Sequence, residues 1–278
     1  MIIDDDHRVA FMHIPKCGGT SVRRQLAKLD SCQGFFYDRR EHDALGRLDY
    51  CHIPLPFLAR HFPDAFEKVA AYRAFALVRD PHSRFVSATF ERLALFGGVR
   101  RTAATAREAM DEAERTMDWL AGRGPFSDPA YIHFARQIDY VALDGRPIVE
   151  NIYAIEDMAA FGAEIERLTG TPFDPGRREN TNFASPSRLL SLLHVAKPVY
   201  SRLTTWNQRE AILRALHRWR LQAPDALYEA FRRNRKIADF VQSYYADDFA
   251  LHDAARIRMA SRAGQGAAPA SPRPAVAT

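Results

Sequence analysis

The residues best suited to chemistry in this chain sit in one short stretch, Pro15-Lys16-Cys17-Gly18-Gly19-Thr20-Ser21: a lysine, two glycines and two hydroxyls. The apolar run from Val9 to Ile14 precedes it and reads as a buried strand. Pro15 ends that strand, because proline has no N–H for a sheet ladder. Gly18 and Gly19 allow a tight turn and a close approach of backbone to ligand. The spacing of Val22, Gln25, Leu26 and Leu29 then predicts a helix, with Thr20 or Ser21 as its cap. Strand, glycine turn and helix N-terminus gather free N–H groups and the positive end of a helix dipole at one point. Lys16 adds a full charge there, so the cradle suits an anion. It is not a Walker A loop, in which lysine follows the last glycine and directly precedes Ser or Thr.

A second stretch repeats this logic. Tyr72 to Val78 is apolar enough to be a strand buried on both faces, as in a parallel sheet. Arg79 follows at its carboxyl end, with a planar fork suited to phosphate, and Ser87 lies about two helical turns further on. Asp80 is the expected N-cap and Pro81 the first helical residue of a helix running to Leu95. A structural salt bridge from Arg79 to Asp80 or Asp157 is the alternative reading.

Pro-Lys-x-Gly-Gly-Thr-Ser followed by Arg-Asp-Pro-x-x-Arg-x-x-Ser resembles the motif pair of sulfotransferases that use 3′-phosphoadenosine 5′-phosphosulfate (PAPS), in the manner of the family 2 carbohydrate sulfotransferases. The resemblance implies that Lys16, Cys17, Gly18, Gly19, Thr20 and Ser21 hold the 5′-phosphosulfate, and that Arg79 and Ser87 hold the 3′-phosphate. It also implies a carbohydrate or glycolipid acceptor and no metal. Three later stretches are similar to family landmarks: Gln137 to Val141, Ile155 to Met158, and Tyr244 to Phe249. Cys17 stands where many relatives carry threonine, and Thr89 where an aromatic is usual.

In sulfuryl transfer, positioning and electrostatics carry the rate, with Lys16 following the charge that grows on the leaving phosphate. A base must make the acceptor hydroxyl more nucleophilic. His52, at the expected end of a short strand and just before Pro54, is the first choice, since a histidine of near-neutral pKa suits that work. Glu41 and His42 are reserves, and His13 reads as structural. Three rival readings use the same chain. Cys17 and Arg23 fit Cys-x5-Arg, the phosphate loop of cysteine-dependent phosphatases. A P-loop kinase is disfavoured by the position of Lys16. A non-catalytic glycan- or nucleotide-binding protein would keep the fold. Trp119, Tyr131, Phe134, Phe183 and Trp206 are candidates for an acceptor wall or, more simply, for the core.

Strands alternating with helices predict one α/β domain over residues 1–262: a central parallel sheet flanked by helices, P-loop-like, with the ligand at the carboxyl ends of the strands. Further strands are expected at Leu48 to Ile53, Ile138 to Leu143 and Ile148 to Ile155, and helices at Thr102 to Ala121, Glu156 to Leu168, Asn207 to Arg220 and Pro224 to Tyr245. Thr171 to Ser187 reads as a long loop, and residues 263–278 as a disordered tail rich in Ala and Pro. No apolar run approaches the ~18 residues of a membrane span. The acidic start Met-Ile-Ile-Asp-Asp-Asp is unlike a signal peptide, so the expected location is the cytoplasm. Cys17, Cys32 and Cys51 fit neither a disulfide framework nor a zinc site. The net charge of +5 favours anionic partners, but its arginines are spread along the chain, which argues against a nucleic-acid patch.

Overall fold

The computed structural model describes residues 1–43, 45–96, 106–124, 128–177 and 225–266. In chain order the strands are β1 (Ile2–Asp4), β2 (Val9–Met12), β3 (Arg39–His42), β4 (Gly46–Asp49), β5 (Arg73–Val78), β6 (Ala142–Leu143), β7 (Arg146–Pro147) and β8 (Asn151–Ala154). The helices are α1 (Gly19–Leu26), α2 (Leu55–His61), α3 (Pro63–Ala71), α4 (Pro81–Leu95), α5 (Ala106–Gly122), α6 (Met158–Thr169), α7 (Asp225–Arg233), α8 (Arg235–Tyr244) and α9 (Ala246–Gly266). The chain is α/β and gathers into two compact units.

The first unit holds residues 1–81, 136–177 and 245–278. Its sheet runs β1-β2-β5-β8, with β1 antiparallel to β2 and the other pairs parallel. Ala74 to Val78 of β5 are all buried, as a central strand covered on both faces requires. Phe11 and Phe75 are register partners, and Phe161 of α6 packs on both at 5.8 and 6.0 Å between ring centroids. Helix α3 packs along β1, β2 and β5, and α9 along β5 and β8. Helix α6 stops at Gly170, whose φ of 63° makes the left-handed C-cap.

The second unit holds residues 82–135 and 178–244. Arg84 is 1% exposed and donates from Nη2 to the carbonyls of His133 (3.2 Å) and Ala135. It therefore fastens α4 to the turn Ile132–Phe134, and Phe85 packs on Phe134 in the same seam. Buried Glu112 of α5 pairs with Arg92 and with Arg115. Tyr131 and Phe134 are buried in the core of this unit, and half-buried Trp119 stacks on Tyr131 at 3.8 Å.

Several sequence expectations change in detail. Leu48 to Ile53 is not a strand: β4 ends at Asp49 in a hairpin with β3, and Tyr50–His52 is a 3₁₀ turn. The Asp49 carboxylate accepts the Cys51 N–H at 3.2 Å, and that cap turns the chain out of the ladder. Ile138 to Leu143 likewise opens as a 3₁₀ turn, Ile138–Tyr140, before the short β6–β7 hairpin. Helix α9 continues through Ala263 to Gly266, four residues into the stretch expected to be disordered. Residues 178–187, including Phe183, Trp206 and the helix expected at Asn207 to Arg220 lie outside the described residues. Among the described residues no helix is long and apolar enough to cross a membrane.

Candidate active site

The carboxyl ends of the parallel strands carry the candidate residues. After β2 the chain passes through buried His13, Ile14 and Pro15 into a loop with two left-handed residues, Lys16 (φ 67°) and Gly18 (φ 79°). For Gly18 that conformation is free. For lysine it costs about 1–3 kcal/mol, which the surroundings must offset. Arg79, at the end of the neighbouring β5, reaches across and donates from Nη1 to the Lys16 carbonyl at 3.4 Å. The two sequence elements therefore meet in space.

Helix α1 starts directly after Gly18, which is its N-cap. Thr20 and Ser21 are not the cap, as the sequence suggested. They lie in the first helical turn, because the loop needs a positive φ one residue before the helix and only glycine adopts it cheaply. The Gly18 carbonyl takes the Ser21 N–H at 3.1 Å. Lys16, Gly18, Thr20 and Ser21 are half-buried, whereas Cys17 and Gly19 are buried.

Both glycines are also needed for contact. A Cβ on Gly18 would sit 3.1 Å from Ile155 Cδ1 and 3.5 Å from Met158 Cε, so the turn after β8 packs on the loop. A Cβ on Gly19 would fall inside the His13 imidazole. Gly19→Ala is accordingly expected to displace either His13 or the start of α1, at a cost of about 1–3 kcal/mol. The check is denaturant unfolding, and the loss should appear as a lower midpoint with an unchanged slope.

Cys17 is 1% exposed, and its thiol donates to Gln137 Oε1 at 3.2 Å and to the Pro15 carbonyl at 3.5 Å. Arg23 stacks on Tyr37, with its guanidinium carbon 3.9 Å from the ring centroid. It donates to the Tyr37 carbonyl (3.1 Å) and Cys51 Sγ (2.6 Å). A Cys-x5-Arg phosphatase needs an exposed thiolate with the arginine over it, and this geometry supplies neither. Asp157, the alternative partner for Arg79, is bound by Arg262 instead.

His52 stands on the 3₁₀ turn after β4. Its Nδ1 is 3.0 Å from the His13 carbonyl, and its ring lies 4.3 Å from the His13 ring, which in turn abuts Gly19. With Nδ1–H donating, the neutral ring has its lone pair on Nε2. Burial lowers the pKa of His52 to about 4, an effect only partly offset by the Asp49 carboxylate and the bond to His13. The near-neutral pKa expected from sequence is therefore replaced by that of a ring neutral throughout the physiological range. Glu41 and His42 sit on the β3–β4 hairpin, where Glu41 is exposed opposite Arg47 and His42 lies against Phe62. Ser87 belongs to the second unit, on α4, and is 1% exposed.

Gln137, which the sequence marks only as part of a family-like stretch, touches both arms of the site. Its side chain bonds Cys17 and both the N–H and the carbonyl of Arg79, each of the latter at 2.9 Å. Asp248, from a second landmark, accepts the N–H groups of Gln137 and Ile138 at 2.8 and 2.9 Å. Ile155 and Met158, from the third, lie where a Cβ on Gly18 would meet them. The three landmark stretches were visible in the sequence, but their contacts were not.

Lysine, hydroxyls, helix N-terminus and guanidinium form a donor set that can receive a ligand with more than one anionic group. Comparison with curated proteins and with solved structures gives no match. The profile of the sulfotransferase family, of the family 2 type, matches residues 1–252. A match of that extent, laid over a strand, glycine loop and helix that meet a second cationic arm, places the chain in the sulfotransferase family, and the protein is a sulfotransferase.

Proposed function

We propose that this sulfotransferase takes its sulfuryl group from PAPS and delivers it to a hydroxyl of a carbohydrate or glycolipid. The observation that carries the reading is the junction of the two motifs, in which Arg79 bonds the Lys16 carbonyl at the ends of adjacent parallel strands. The donor set fits a nucleotide bearing phosphate groups at both ends of its ribose. PAPS would supply an activated sulfuryl group on a phosphate leaving group.

The chain's own residues then have distinct tasks. The N–H groups of the loop and the hydroxyls of Thr20 and Ser21 would hold the 5′-phosphate side, while the Lys16 ammonium would stabilise charge that grows as the bond to sulfur breaks. Arg79, whose direction is set by its bonds to Lys16 and Gln137, is assigned the 3′-phosphate. His52 Nε2 is assigned the acceptor's proton. Cys17 fills the underside of the loop rather than acting as a nucleophile.

The acceptor class is tested by incubating the protein with PAPS and a panel of neutral sugars, acidic glycans and glycolipids. Release of adenosine 3′,5′-bisphosphate is followed together with the sulfated product. Release that depends on a carbohydrate-bearing acceptor supports the proposal. Turnover confined to phenols, alcohols or amines without sugar would remove the carbohydrate assignment and leave the donor reading in place.

A further inference from the structure

We propose that Gln137, held in place by Asp248, is a positioning residue that locks the Lys16–Ser21 loop and Arg79 into one preformed receptor. The inference rests on the donor reading above and extends it to a residue that touches no ligand in that reading.

Gln137 is 0% exposed, and its amide is oriented by its neighbours. Oε1 accepts two donors, the Arg79 N–H at 2.9 Å and the Cys17 thiol at 3.2 Å, while Nε2 donates to the Arg79 carbonyl at 2.9 Å. Binding both backbone groups of Arg79 continues the hydrogen-bonding of β5 one residue beyond Val78. It fixes the backbone from which the guanidinium projects. The same oxygen holds the underside of the glycine loop through Cys17. One amide therefore sets the spacing between the two cationic arms.

The amide needs an anchor of its own, because Gln137 lies outside the sheet, directly before the 3₁₀ turn Ile138–Tyr140. Asp248 provides it. This carboxylate is 0% exposed on α9 and takes the N–H groups of Gln137 and Ile138 with its two oxygens, both bonds charge-assisted. The contact spans 111 residues of chain and closes the first unit around the site. A receptor held this way loses little freedom when its ligand binds, so the affinity gained from one arm depends on the placement of the other.

The test compares the wild-type chain with Gln137→Met, which keeps the length and removes the amide, and with Asp248→Asn. Hydrogen exchange without ligand is read in peptides covering residues 14–22 and 76–81, with α3 as the internal reference. Both peptides should exchange faster together, on the order of 10-fold, while α3 stays as in wild type. In the same variants the affinity for adenosine 3′,5′-bisphosphate should fall on the order of 10-fold, and the affinity for 5′-AMP should fall less. Unchanged exchange in the two peptides would overturn the proposal, and so would an equal rise in α3, which marks a merely structural role. Should Gln137→Met not fold, Asp248→Asn and the denaturant dependence of exchange in the wild type decide. One shared opening of the two peptides is expected, and separate openings would overturn it. If the wild type shows no preference for the 3′-phosphate, the donor reading falls and the exchange data still judge the lock.

Discussion

Replacing Lys16 by alanine is expected to lower turnover by about 10²–10³ while the protein remains folded. Lys16 is half-buried at the mouth of the loop rather than among the buried apolar residues of the core. What is lost is a full charge at the point where the leaving phosphate becomes more negative, in a site partly shielded from water. The left-handed φ of 67° adds a second consequence. Lys16→Gly relieves that strain, so it should be at least as stable as Lys16→Ala and just as inactive. Steady-state kinetics and thermal unfolding of the two variants separate charge from backbone. Turnover in either variant within threefold of wild type would remove Lys16 from the chemistry.

Loss of the His52 imidazole is expected to cost less, about 10² in turnover, with donor affinity preserved. General bases typically contribute 10²–10⁴, and a base whose pKa is about 4 belongs at the weak end of that range. The pH dependence follows from the sign of the shift. His52 acts only when neutral, and its pKa is lowered, so the base stays available from neutral pH downwards until the pH approaches about 4. The acid limb of kcat/KM should therefore lie near 4 in the wild type rather than near 6.5, and the limb should vanish in His52→Ala. A limb near 6.5 that survives in His52→Ala would assign the proton to another group.

How much of this was legible in the sequence divides along local and distant contacts. The Val9 run, the Lys16 loop and the Arg79 strand end were readable because proline, glycine and a continuous apolar run declare themselves within a few residues. The helix cap was misplaced by two or three residues, since hydroxyls are the commoner caps and only the φ of Gly18 shows why glycine takes that place here. His52 was singled out, but its pKa was not readable, because desolvation depends on atoms brought from across the fold. Gln137 and Asp248 stood out only as parts of family-like stretches, and nothing local to either showed that the Asp248 carboxylate takes the Gln137 N–H at 2.8 Å across 111 residues. Arg84, the second arginine of the motif, is likewise bound at a distance, to the backbone carbonyls of His133 and Ala135.

Whether the Lys16 loop and Arg79 together receive a nucleotide bearing a 3′-phosphate is decided by calorimetric titration of the wild type and Arg79→Ala with adenosine 3′,5′-bisphosphate and with 5′-AMP. The wild type is expected to prefer the bisphosphate, by on the order of 10- to 100-fold for a charge-assisted pair, and Arg79→Ala to bind both ligands alike. Equal affinity of the wild type for the two nucleotides, or a preference that survives in Arg79→Ala, would contradict that reading.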